Sequence, residues 1–107
     1  MKKNIRVLKF GGRIMYMILI YDIQTITKSG QRRMQKIFKI CKKYLHHIQK
    51  SVFEGEVTES KYYELKLAVE NLINADTDSV IFFKSRDEKW LEKELIGIQE
   101  DKTDNFI

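Results

Sequence analysis

The chain has no proline, one cysteine and one tryptophan among its 107 residues. Without proline, a rigid proline-rich linker is excluded; with 43% hydrophobic residues, one compact domain with a real core is expected. Cys41 alone cannot form an intramolecular disulfide and offers no thiolate cluster for zinc, so a reducing, cytoplasmic compartment is expected. No apolar run approaches the roughly 20 residues of a membrane-spanning helix, which argues against a membrane partner. A phosphate-cradling glycine loop, a paired-histidine zinc motif and a glycine-flanked serine are all missing, which removes the commoner NTPase, zinc-protease and serine-hydrolase chemistries.

Acidic residues are equally scarce at the start. Residues 1–14 carry Lys2, Lys3, Arg6, Lys9 and Arg13 with no acid, and so account for the whole formal charge of +5. Their sequence, "MKKNIRVLKFGGRI", lacks the long apolar stretch and small-residue cleavage site of a secretory signal. "FGGRIM" can be encoded as a purine-rich ribosome-binding sequence followed by a start codon. Residues 1–14 are therefore expected to be a translated leader, with residues 15–107 forming the domain. The competing reading is an edge strand, "IRVLKF", turning through Gly11 and Gly12. From residue 15 onward the chain is neutral but polarised: residues 15–50 hold eight Lys/Arg against Asp22 alone, and residues 51–107 hold seven against fourteen acids.

Periodicity then lays out the elements. "MYMILIYDI" reads as an apolar strand. Met34, Ile37, Phe38, Cys41, Tyr44 and Leu45 recur at helical spacing, with Arg32, Lys36, Lys39 and Lys43 on the other side, so a basic amphipathic helix follows. In "HHIQKSVFEGEV", Ile48 and Val52 share one strand parity while Phe53 and Val57 take the other. The slip near Lys50 and Ser51 predicts a bulge or tight hairpin. Thr58 or Ser60 can cap a second helix whose apolar stripe is Tyr62, Leu65, Val69, Leu72 and Ile73. "SVIFFKS" is a further strand, and "DEKWLEKELIGI" a turn with a last short strand. This order matches an α+β, ferredoxin-like βαββαβ domain: an antiparallel sheet with both helices on one face. "MILIY" and "VIFF" are apolar at both parities, so the second face also needs cover, and a second copy in an isologous homodimer supplies it.

Asp22 is the anomaly of the first strand, because burying an unpaired carboxylate costs several kcal/mol. Either it accepts hydrogen bonds from loop amides, or it binds a divalent cation, Mg²⁺ or Mn²⁺, for which one or two carboxylates suffice when water and phosphate complete the shell. A two-fold axis would add a second Asp22 and give a metal-assisted phosphodiester-hydrolysis site. Arg32 and Arg33 can contact phosphates, lie on a solvated face, or pair with the acidic second half. His46 and His47 point to opposite faces of a strand and cannot chelate one ion together. For His47 a structural or phosphate-contacting role is expected. Phe53 can stack a base or fill a core or dimer interface, and Trp90 reads as an apolar anchor.

Taken in order, "MILIYDI", "GQRRMQKIFKICKKY", "IQKSVFEGEV", "TESKYYELK" and "DSVIFF" resemble the CRISPR-associated Cas-two family from residue 15 to about residue 107. The resemblance implies a ferredoxin-like homodimer that joins the Cas-one integrase in inserting new spacers into a CRISPR array. It also implies metal-dependent endonuclease activity on RNA or double-stranded DNA, as described for some members. On this reading Asp22 is the catalytic metal ligand and Tyr21 its catalytic neighbour. Arg32, Arg33, His47, Ser51 and Phe53 form the nucleic-acid-binding set. The tail "EKELIGI" resembles the terminal strand with which members augment the partner's sheet. His47 departs from the arginine that several members place before the "IQ" pair, and a neutral imidazole is a weaker phosphate clamp. The alternatives are a non-catalytic structural DNA-binding dimer and a toxin-type ribonuclease of related fold.

Overall fold

The computed structural model describes residues 13–87 and 91–97. The expected leader, apart from its last two residues, Trp90 and the end of the tail lie outside the described residues. Strand β1 (Ile14–Asp22) leads into helix α1 (Lys28–Tyr44); the hairpin β2 (His46–Gln49) and β3 (Val52–Thr58) follows, then helix α2 (Glu59–Leu72) and strand β4 (Ser79–Ser85). All pairings are antiparallel, in the order β2-β3-β1-β4. This is the ferredoxin-like βαββαβ arrangement expected from the sequence.

β1 lies centrally because it is apolar on both faces. Met17, Leu19 and Tyr21 point toward the helices, where they meet Phe53 and Val57 of β3 and the buried stripes Ile37 and Cys41 of α1 and Tyr62, Leu65 and Val69 of α2. α1 starts at Thr27, whose hydroxyl accepts from the Gly30 N–H, and ends on Lys42 and Lys43, cations that complement the helix dipole. Of the two caps open to α2, Thr58 is used: it accepts from the Lys61 N–H at 3.2 Å.

The parity slip in "HHIQKSVF" becomes a hairpin with a shifted register between His47 and Gln49. Lys50 takes φ 41°, a conformation unusual for a side chain with a Cβ. The His47 ring lies against this turn, with Nε2 2.8 Å from the Lys50 carbonyl oxygen, and its other edge packs on Phe38 and Phe53.

The second sheet face is left open. Ile18 and Ile20 of β1 stand beside Phe83 and Ile81 of β4, which are 54% and 49% exposed. Residues 91–97 form no strand within the chain, unlike the expected terminal strand. Lys93 ties this segment to the sheet through Glu54 of β3, whose carboxylate also accepts from the Tyr16 hydroxyl. A strand needs a neighbouring strand to satisfy its backbone, and among the described residues of a single copy this segment has none.

Candidate metal and nucleic-acid site

Asp22 closes β1 on the open face, directly across from Ser79 and two residues beyond Ile20. It is exposed, and among the described residues its carboxylate has no hydrogen-bond or ion-pair partner. No loop amide therefore claims it. Among the described residues no group of three or more His, Cys, Asp or Glu could hold a metal ion. Among the described residues a single chain thus offers this locus one hard oxygen ligand. That fits half of a Mg²⁺ set, since Mg²⁺ keeps most of its waters and uses one or two carboxylates.

Tyr21, the expected catalytic neighbour, alternates to the opposite face. Its ring is buried under α1, 6.0 Å from Phe53, and burial, reinforced by the nearby Cys41, pushes its hydroxyl up to about 12. It is protonated at neutral pH and is not brought beside the Asp22 carboxylate of its own chain. Burial likewise pushes the Cys41 thiol up to about 12, leaving it unreactive.

What positions Asp22 is a carboxylate that sequence reading passed over. Asp78, one residue before β4, has a fully buried side chain. Arg33 donates to it through Nε at 2.7 Å and Nη2 at 3.3 Å. The Gln24 N–H, the Asn74 N–H and the Thr77 hydroxyl add bonds of 3.0, 2.9 and 3.1 Å. Asp78 thus clamps the loop after β1 to the loop before β4, beneath the Asp22–Ser79 pair. The Arg33 guanidinium holds its carboxyl well below the usual carboxylate range, helped by the Asn74 and Gln24 amides and Thr77. Arg33, expected among the phosphate contacts, is committed to this pair with an acid of the second half, one of the three roles open to it.

The remaining residues separate. Arg32 is exposed on α1. Ser51 is half-buried, and its carbonyl accepts from the Tyr21 N–H at 3.2 Å. It lines, with Tyr21, Met34, Gln35, Phe38 and Lys50, a mostly apolar cavity of about 440 Å³. Phe53 is 0% exposed and stacks in the core rather than presenting a face to a base. His47 braces the hairpin turn. Of the expected set, only Asp22 and Arg32 are thus both exposed and without a partner among the described residues.

The family model described as "CRISPR associated protein Cas2" matches residues 15–93. The chain is 55% identical to the CRISPR-associated endoribonuclease Cas2 of Fusobacterium nucleatum over 107 residues, the whole of both chains. It is 46% identical over 91 residues to the CRISPR-associated endoribonuclease Cas2 2 of Moorella thermoacetica, covering 85% of this chain and all of that protein. Among solved structures, Streptococcus pyogenes Cas2 at pH 6.5 superposes with a TM-score of 0.69 at 29% identity, over 77% of this chain and 99% of the other.

Proposed function

This chain belongs to the CRISPR-associated Cas2 family, and we propose that two copies pack through their open sheet faces into an adaptor dimer for the Cas-one integrase in spacer acquisition. The observation that carries this reading is the uncovered apolar row of Ile18, Ile20, Ile81 and Phe83 with a partnerless Asp22 at its margin. An isologous pairing of that face covers the apolar row and gives residues 91–97, with exposed Leu91, Leu95 and Ile96, a sheet edge to join. Replacing both Ile81 and Phe83 with Glu is expected to shift sedimentation from a two-copy to a one-copy mass at micromolar concentration. An unchanged mass would place the contact elsewhere.

The same dimer brings two Asp22 carboxylates to one locus, and the endoribonuclease names of the relatives support phosphodiester hydrolysis there, on RNA or double-stranded DNA. The paired Asp22 side chains would hold Mg²⁺ or Mn²⁺, which when bound activates water and screens the phosphate charge. Asp22→Ala is expected to lower metal-dependent cleavage about 100-fold or more, given that even supporting partners of metal ligands carry 10–100-fold. Because Asp22 is exposed, its melting temperature should barely move. Cleavage that persists in this variant excludes Asp22 as the essential ligand.

The second reading, a structural DNA-binding dimer without catalysis, is favoured by one observation: Tyr21 is buried and Arg33 is paired with Asp78, so among the described residues Asp22 has no acid–base or cationic partner in its own chain. Spacer integration retained by Asp22→Ala while cleavage is lost would separate the two. Work on a CRISPR array places either complex in the cytoplasm. Among the described residues no helix is long and apolar enough to cross a membrane.

A further inference from the structure

We infer that Ser79 is the second oxygen donor that each copy brings to the Asp22 locus, its hydroxyl holding the divalent cation beside the carboxylate. The inference rests on the metal reading above, which takes one carboxylate from each copy and leaves the other positions to water and phosphate.

Along the open face, β1 and β4 change character at the same register. Ile18 stands across from Phe83 and Ile20 across from Ile81; the next pair on that face is Asp22 with Ser79. Residues directly opposite on antiparallel strands share a face, with Cβ atoms about 4.5–5.5 Å apart. Two apolar pairs are thus followed by a pair of oxygen-bearing side chains, both exposed. They are not spent on each other: among the described residues neither side chain has a hydrogen-bond or ion-pair partner.

Other hydroxyls around the same two loops are used. Thr27 caps α1, Ser29 accepts from Arg33, and Thr77 donates to Asp78. At the far end of β4 the Ser85 hydroxyl turns to its own loop, donating to the Asp87 carbonyl and accepting from the Asp87 N–H. Ser79, at the near end, instead stays open beside a carboxylate. Its place is also fixed. The preceding residue, Asp78, is held by Arg33, Thr77 and two backbone amides, one of them from Gln24, two residues after Asp22. One buried clamp therefore sets both members of the pair, as a metal site requires of the groups behind its ligands.

The chemistry of the hydroxyl suits this place. Mg²⁺ and Mn²⁺ take hard oxygen ligands, and a serine or threonine hydroxyl serves Mg²⁺ in the phosphate loops of NTPases. Being neutral, it offers lone pairs to a cation and a proton to a phosphate oxygen. It adds a donor without the repulsion that further carboxylates would bring to a two-fold axis. With no base bonded to it among the described residues, it is not activated as a nucleophile.

The test is Mn²⁺ binding by the full chain without nucleic acid, followed by the electron paramagnetic resonance signal of the free ion. Asp22→Ala should abolish binding. Ser79→Ala and Ser79→Val should each weaken it about tenfold or more, the scale on which groups supporting metal ligands act. Ser79→Thr has the shape of the Val variant but keeps the hydroxyl, and should bind as the wild type does. Wild-type affinity in the Ala and Val variants, with binding lost in Asp22→Ala, would overturn the role of Ser79 and leave the metal reading standing. A Thr variant as weak as the Val variant would also overturn it, because the hydroxyl would then count for nothing. A wild type that binds no Mn²⁺, or an Asp22→Ala protein that binds it unchanged, would overturn both.

Discussion

Asp78→Ala is expected to lower the melting temperature by about 12–24 °C, the equivalent of roughly 3 kcal/mol in a domain of this size. The carboxylate is fully buried and accepts from two backbone amides, a hydroxyl and the Arg33 guanidinium. Removing it strands those donors, and a buried donor without a partner carries its full desolvation penalty of about 1–3 kcal/mol. The Arg33 charge is also left without its counter-ion. Because Asp78 clamps the two loops that frame Asp22 and Ser79, metal-dependent cleavage should fall as well, although Asp78 touches no substrate.

The clamp also dictates a pH dependence. The folded-state pKa of Asp78 lies well below its unfolded value of about 3.9. A depressed carboxylate contributes stability that is fully present above the unfolded value and is lost as pH falls through the folded one. The wild type should therefore lose stability steadily from about pH 5 downward, and Asp78→Asn should show a shallower fall over the same range. Thermal melts of both proteins between pH 2 and pH 6 check this; parallel curves would mean that other carboxylates carry the acid sensitivity.

The contrast between Asp22 and Asp78 shows how far local pattern reaches. Both acids sit at the margin of an apolar strand, "MILIYDI" and "DSVIFF", and pose the same physical question. Strand parity, helical stripes and the slip at Lys50 and Ser51 are local properties, and they prescribed the four strands and two helices that form. The same local view gave the residues between the second helix and "SVIFFKS" no role. Asp78 is buried because of Arg33, 45 residues away, and no spacing rule connects them. An acid abutting an apolar strand, with two arginines side by side in the basic half, was the available signal. Arg32 and Arg33 are likewise indistinguishable as letters; ~100° of helical rotation sends one to solvent and the other to Asp78. His47 and Phe53 were grouped with the nucleic-acid set by resemblance, yet both point from their strands toward α1 and are absorbed by packing. The open face was legible, because apolar residues at both parities cannot all be covered by two helices on one side.

Gly30→Ala is the second large effect, and its sign is decided by space rather than by conformation. An alanine in a helix interior ordinarily gains up to about 1 kcal/mol over glycine, and the backbone of Gly30, which has no positive φ, would accept it. The β1–α1 loop, however, folds back onto the first turn of α1. A Cβ on Gly30 would lie 1.9 Å from the Gln24 carbonyl oxygen and 3.3 Å from the Thr27 hydroxyl. The obstacle is backbone, so the loop must move. Moving it pulls the Gln24 N–H from Asp78 and the Thr27 cap from the Gly30 N–H, a cap alone being worth about 1 kcal/mol. Overpacking adds roughly 1–3 kcal/mol, so the net outcome is a loss of about 2 kcal/mol or more. The midpoint of urea unfolding should fall accordingly, with the slope unchanged. Gln35→Ala, on the exposed side of the same helix, should change the midpoint little. A Gly30→Ala protein more stable than the wild type would show that the loop yields freely, and that Asp22 is held by β1 alone.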